Sequence, residues 1–215
     1  MIEHIAQAYS FLAKGGPVMI FIGICSVMAL AIAIERFISL REKNVFPLAF
    51  MNAYKQFLAS EKPEDLKQLS ASFDVPLSRL SLFILGQDLQ NYTHAKDEVE
   101  LRGRIEIQKL EKNLNFLGSI ATVSPLLGLL GTVTGMIKTF AAIKLVGGVG
   151  DPLELSAGIS EALINTAAGL FVAIPAFMLH RFFYKKVDEH TLQLEEYSQA
   201  LINRLDKREV SIQKS

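Results

Sequence analysis

The charged residues of this 215-residue chain avoid three long stretches. Gly15 to Ile34 is twenty consecutive residues without a charge, Asn113 to Ile137 is twenty-five, and Ala162 to His180 is nineteen. A hydrocarbon layer of about 30 Å needs roughly 20 apolar residues in a helix, so each stretch is long enough to cross it. Lipid offers the backbone no hydrogen-bond partner, and helix is the form such spans take. The pattern predicts an all-α integral membrane protein with three transmembrane helices over 15–35, 113–140 and 159–183. A cleaved leader would start with bases and end at small residues. Here Glu3 precedes any base and the first apolar run ends at Glu35–Arg36, which predicts a retained span.

Outside the spans the pattern is helical and lacks strand alternation. In the loop 36–112, Pro47, Pro63 and Pro76 divide the chain into short helical segments. Ser60 to Leu66, with acids just after Pro63, reads as a helix entry. From Thr93 no proline intervenes until Pro125, and Val99, Ile105, Leu110 and Leu114 supply apolar positions between charges. The second span is expected to begin as a helix that already runs through the soluble segment. The third is expected to continue likewise into 184–215, where Val187, Leu194 and Leu201 recur every seven residues. That stripe suits either contact with another subunit or a helix folded onto its own loop.

Composition adds orientation. The chain has 22 Lys plus Arg and 22 Asp plus Glu, a net charge of zero, which gives no basic excess for a nucleic-acid partner. The bases are unevenly placed: twelve lie in 36–113 and seven in 181–215, against Lys14, Lys138 and Lys144 elsewhere. Positive charge stays inside, so the N-terminal arm 1–14 and the connection 141–158 are expected outside, and the large loop and C-terminus in the cytoplasm. One cysteine, Cys25, excludes an intrachain disulfide and a thiolate zinc site. The four histidines are scattered without an HExxH pair, and no cofactor or metal motif is found.

The second span carries small residues at spacings of three or four: Gly118, Ala121, Ser124, Gly128, Gly131 and Gly135. The third repeats the design with Gly158, Ala162, Gly169, Ala173 and Ala176. Small faces let membrane helices approach closely, because packing replaces the hydrophobic effect in lipid. Pro125 and Pro175 interrupt the backbone ladders of these spans and favour kinks. The first span is bulkier and reads as the lipid-facing helix, with Cys25 a small apolar filler. Polar atoms inside are Thr122, Ser124, Thr132 and Thr134 in the second span, and Asn165 and Thr166 in the third. By helical rise, Thr132 and Thr166 lie at similar depth, roughly 8 to 9 Å from the centre toward the outer face. They form either a shared polar surface or separate bonds to their own helix carbonyls, and spacing favours the second. No Asp, Glu, Lys or Arg lies deep in a span, whereas proton paths need an ionisable group. An acid for proton transfer would have to come from another subunit.

The segments SPLLGLLGTVTGMIKTF and GISEALINTAAGLFVAIPA, with Glu35–Arg36 ending the first span, resemble the ExbB/TolQ branch of the MotA/TolQ/ExbB proton-channel family. The resemblance covers all three spans, their order, the large loop and the inferred orientation. It implies a homopentamer in a bacterial inner membrane around a dimer of single-span subunits like ExbD or TolR, each with one intramembrane Asp. It further implies that Thr132, Thr166 and Glu161 face that Asp, and that proton flow is coupled to rotation and to work on a TonB-like or Tol-like envelope partner. Two positions depart from the family pattern. Thr134 stands where many members have Trp, and Asn165 where a small residue is usual. A flagellar-type stator subunit normally has four spans and a longer chain; a non-conducting scaffold for a single-span partner is the alternative of another class. No nucleophile–base pair or phosphate loop points to an enzyme.

Overall fold

The computed structural model describes residues 16–60, 63–86, 92–145 and 152–213, and the elements among them are all helices. In chain order they are α1 (Gly16–Ser39), α2 (Glu42–Val45), α3 (Leu48–Ser60), α4 (Pro63–Ser72), α5 (Pro76–Leu85), α6 (Tyr92–Leu110), α7 (Leu114–Leu145) and α8 (Pro152–Gln213). Three helical stretches, Gly16–Ser39, Leu114–Ala141 and Leu155–Asp206, are long and apolar enough to cross a membrane. The three prolines of the soluble loop act as expected: α4 and α5 begin on Pro63 and Pro76, where the missing N–H is not needed, and α3 follows Pro47. The arm 1–14 lies outside the described residues, as does 146–151 of the outer connection. Residues 141–145 and 152–158 of that connection are helical, so α7 and α8 continue past the expected edges of the spans.

Two compact units divide the chain: Met1–Ile34 with Asn113–Phe182, and Glu35–Lys112 with Phe183–Ser215. In the first, α1 buries Val18, Met19, Ile22, Ala29 and Ala33, and leaves Ile20, Phe21, Val27 and Leu30 exposed. The most apolar windows of the three spanning stretches bury 33%, 33% and 28% of their residues. The first span is therefore no more outlying than the others. Each turns one face inward and keeps a broad apolar face outward.

The second unit has its own core. Phe46, Phe50, Tyr54 and Phe57 are buried, and Tyr54 donates a 2.8 Å hydrogen bond to the Tyr197 carbonyl with the two rings 5.9 Å apart. Burial pushes the Tyr54 hydroxyl well above the usual tyrosine range, against a smaller lowering by Ser81. His190 is buried with Nε2 3.0 Å from the Leu40 carbonyl and its ring 5.6 Å from Phe46. Val187, Leu194 and Leu201 are 1%, 1% and 0% exposed. Of the two readings of the seven-residue repeat, the helix folded onto its own loop is the one observed, because His190 and Tyr197 widen the stripe into a face that the loop aromatics cover.

One expectation needs correction here. The helix before the second span is not continuous with it: α6 ends at Leu110, and Asn113 adopts φ 64° before α7 starts. Asn tolerates the left-handed region and ends helices there. The Asn113 carbonyl then accepts from the Leu117 N–H at 3.1 Å, so the same residue closes one helix and opens the next. The third span does continue as expected, in one helix of 62 residues. On α6, Ile105 is 38% exposed while neighbouring Glu106 is fully buried. Glu106 goes inside because Arg79 reaches its Oε2 (2.7 Å from Nη2) and Lys109 its Oε1 (2.7 Å), with Asp74 pairing to the outer side of Arg79. Burial raises its carboxyl pKa, but the hydrogen bonds and charges of Arg79 and Lys109 outweigh that and hold it below the usual range.

Candidate functional site

The small-residue faces of α7 and α8 meet each other. A Cβ on Gly169 would lie 2.5 Å from the Ser124 carbonyl oxygen and 3.1 Å from Gly128 Cα. One on Gly128 would lie 2.9 Å from the Asn165 carbonyl and 3.1 Å from Thr166 Cα. At these two positions backbone packs on backbone, and only glycine fits. Farther along, Gly131 lies against the Asn165 side chain, Gly135 against Ala162, and Gly158 against the Thr139 hydroxyl. In the other direction Gly118 lies against His180. As the α7 number rises the α8 number falls by a similar amount, which is an antiparallel pair in one register.

Burial follows this seam. Ser124, Gly128, Gly131, Gly135, Ala162, Asn165, Gly169 and Ala173 are buried, Ala121 is 8% exposed, and Gly118, Pro125, Thr132, Glu161 and Thr166 are half-buried. Thr122 and Pro175 are exposed and stand apart from it. Both prolines lie inside unbroken helix. The bulk of the predicted small-residue set therefore forms a single contact, while Thr122 belongs to the outward surface of α7.

The hydroxyls divide between the two expected behaviours. Thr122 donates to Gly118 O (3.1 Å), Ser124 to Ile120 O (2.7 Å), Thr132 to Leu129 O (2.7 Å) and Thr134 to Leu130 O (2.9 Å), all on their own helix. Thr166 instead points across the seam, 3.4 Å from Gly128 O. That contact is long for a hydrogen bond, so it is a weak tie that a better acceptor could displace. Asn165 is 1% exposed, and its Oδ1 has no hydrogen-bond partner. A buried amide oxygen left unpaired costs roughly 1 to 3 kcal/mol. Among the described residues no group of three His, Cys, Asp or Glu side chains is placed to hold a metal ion.

At one end of the seam Glu161 faces Lys138 with 3.9 Å between Oε1 and Nζ, and its carboxylate lies over the start of α1, where Gly16 has φ 66°. The Glu161 side chain is 30% exposed, so this is a partly solvated ion pair of small net worth. At the opposite end His180 lies over Gly118, with Nε2 2.9 Å from where a Cβ would stand. Neither Lys138 nor His180 was singled out by sequence. The signal was present, because residues equidistant from the middle of the α7–α8 connection face each other in an antiparallel hairpin, and both pairs meet that condition.

The sequence profile of the MotA/TolQ/ExbB proton channel family matches residues 66–196, more than half of the chain. An ExbB-like biopolymer transport protein of Synechocystis sp. is 29% identical over 178 residues, covering 79% of this chain and 85% of the relative. Biopolymer transport protein ExbB of Aquifex aeolicus is 35% identical over 119 residues, 54% of this chain and 80% of the relative. The Tol-Pal system protein TolQ of Haemophilus influenzae is 49% identical over 76 residues, 35% of this chain and 32% of the relative.

Proposed function

Since the chain belongs to the MotA/TolQ/ExbB proton channel family, on its ExbB/TolQ-like branch, we propose that it is the channel-forming subunit of an energy-transducing complex in a bacterial inner membrane. Five copies surround a dimer of single-span subunits resembling ExbD or TolR. Proton-motive force is converted there into work on a TonB-like or Tol-like envelope partner. The N-terminus lies outside and both soluble segments, 36–112 and 184–215, lie in the cytoplasm.

The observation that carries this reading is the α7–α8 seam. It sets Ser124 against Gly169, and Asn165 and Thr166 against Gly128, while the sequence has no Asp, Glu, Lys or Arg between Lys112 and Lys138 or between Glu161 and Arg181. A polar seam without an acid can solvate a proton but cannot bind and release one. The intramembrane Asp of a single-span partner completes it, with Thr132 and Thr166 beside that carboxyl and Glu161 at the outer mouth. Pairing of Thr132 with its own helix supports the second reading, a scaffold that holds the partner without conducting.

Native mass spectrometry in mild detergent gives five copies of this chain per complex. Reconstituted with its partner in vesicles, the complex takes up protons. Thr166→Val lowers uptake about tenfold or more, a barrier increase of roughly 1.4 kcal/mol. A complex that retains partner-driven activity in the presence of an uncoupler is a scaffold, and the channel reading then fails.

A further inference from the structure

We infer that the second unit carries both halves of a contact between copies of this chain. One half is a groove between α6 and α8; the other is an apolar ridge on the far side of α6, Leu101 with Ile105, which fills the groove of the next copy. The inference rests on the five-copy reading above and adds to it a contact outside the spanning stretches.

The groove encloses about 580 Å³ and is lined on α6 from Lys96 to Ile107, a length of about 16 Å. Gly103 and Leu80 line it, and a Cβ on Gly103 would come no nearer to Leu80 than 4.0 Å, so the groove is open at that point. On its α8 side Leu192 is 68% exposed, an apolar wall with nothing over it. The ridge is the other uncovered apolar feature of α6, with Leu101 63% and Ile105 38% exposed. These two residues stand two positions before and two after Gly103. At about 100° per residue their mean direction is opposite that of Gly103, so ridge and groove lie on opposite faces of one helix. Large apolar side chains at i and i+4 are the anchors with which a helix enters a groove. All of these residues belong to the second unit.

Level and charge select a second copy as the occupant. Copies related by rotation about one axis hold each residue at the same height along it. A ridge can then enter a neighbour's groove only if both lie at the same level of the chain. They do: positions 101 and 105 fall inside the 96–107 stretch that lines the groove. A contact that joins opposite faces with no rise from one copy to the next closes into a ring, where a rise would give a filament. The charges agree at that level. Lys96 on the groove wall is exposed, and so are Asp97 and Glu98, which precede Leu101 by four and three residues and flank the ridge. None of the three has an ion-pair partner among the described residues. In the ring, Lys96 of one copy meets Asp97 and Glu98 of the next, and the contact covers Leu101, Ile105 and Leu192 together.

The test uses the full chain with its single-span partner in native membranes, in a Cys25→Ser background, with a short bis-maleimide as cross-linker. Leu101→Cys and Gln199→Cys replace two exposed residues, one on the ridge and one lining the groove. A chain carrying both should give a ladder from two copies up to five, because each copy offers its two halves to different neighbours. Either cysteine alone should leave the chain at one copy. In the double-cysteine chain Lys96→Glu should lower the yield about two- to fivefold, the range for an exposed ion pair, and adding Asp97→Lys with Glu98→Lys should restore it. Dimers from a single-cysteine chain would show a two-fold contact and overturn the inference. A product that contains the single-span partner in place of a second copy would assign the groove to that subunit and overturn it too. No ladder from a complex that native mass spectrometry still counts at five copies overturns the inference and leaves the channel reading intact. A ladder that ends at another number upholds the contact and removes the five-copy reading.

Discussion

At the scale of single residues, the seam sets two neighbours with opposite expectations. Gly169 is closed in by backbone: a Cβ would meet the Ser124 carbonyl at 2.5 Å, and a carbonyl in a helix cannot swing away. Gly169→Ala should destabilise the chain by about 1 to 3 kcal/mol, the range for overpacking a tight contact. Asn165 is the reverse case. Its amide is buried with Oδ1 unpaired, so truncation removes a group the fold holds at a cost. Asn165→Ala should leave stability unchanged or raise it by about 1 kcal/mol, the cavity formed offsetting part of the gain. Thermal unfolding in detergent would separate the two, and a large loss of stability in Asn165→Ala would show that its amide has a partner in the assembled complex. A residue that lowers stability yet sits at the centre of a polar seam is where function is expected to outweigh packing.

Among elements, the attachment of α6 to α5 has a pH dependence that follows from Glu106. Burial pushes its carboxyl up, while Arg79 and Lys109 pull it down by more, leaving a net lowering from the ordinary value of 4.5. A carboxyl with a depressed folded pKa contributes stability that is present above its unfolded pKa and is lost as pH falls through the folded value. The second unit should therefore lose stability as pH falls from about 4.5, and Glu106→Gln should remove that component, flattening the slope of unfolding free energy against pH in acid. At neutral pH the same variant should be less stable than wild type by about 1 to 3 kcal/mol, because the amide cannot serve two cations. Arg79 and Lys109 keep access to water, 28% and 52% exposed, which limits the loss below that of a fully buried pair.

At the scale of the whole molecule, the outward faces of the three spanning helices stay apolar. Val27, Leu163 and Phe171 are 70%, 65% and 81% exposed, and lipid or further subunits must cover them. The proposed orientation can be read directly. After Cys25→Ser, a single cysteine at exposed Ser72 should resist a membrane-impermeant maleimide in whole cells and react once the cells are opened. A cysteine replacing Lys144 should react in whole cells. The opposite labelling pattern would invert the topology and place Glu161 on the inside.

What the amino-acid sequence determined by itself was the part that depends on one-dimensional runs. The absence of charge over Gly15–Ile34, Asn113–Ile137 and Ala162–His180 was enough to locate three spanning helices, since length and solvent decide them without reference to neighbours. The small faces of α7 and α8 were legible for the same reason: glycine at helical spacing has few other uses in lipid. Partners were a different matter. The stripe of Val187, Leu194 and Leu201 was compatible with two different contacts, and only the placement of Tyr54 and Phe46 against Tyr197 showed that the chain covers it with its own loop. Thr132 and Thr166 looked equivalent by depth, yet one bonds its own helix and the other reaches across the seam. The burial of Glu106 depended on an arginine 27 residues away. Each of these turns on which atoms from distant segments come within a few ångströms, a quantity that the backbone path fixes and a local pattern does not contain.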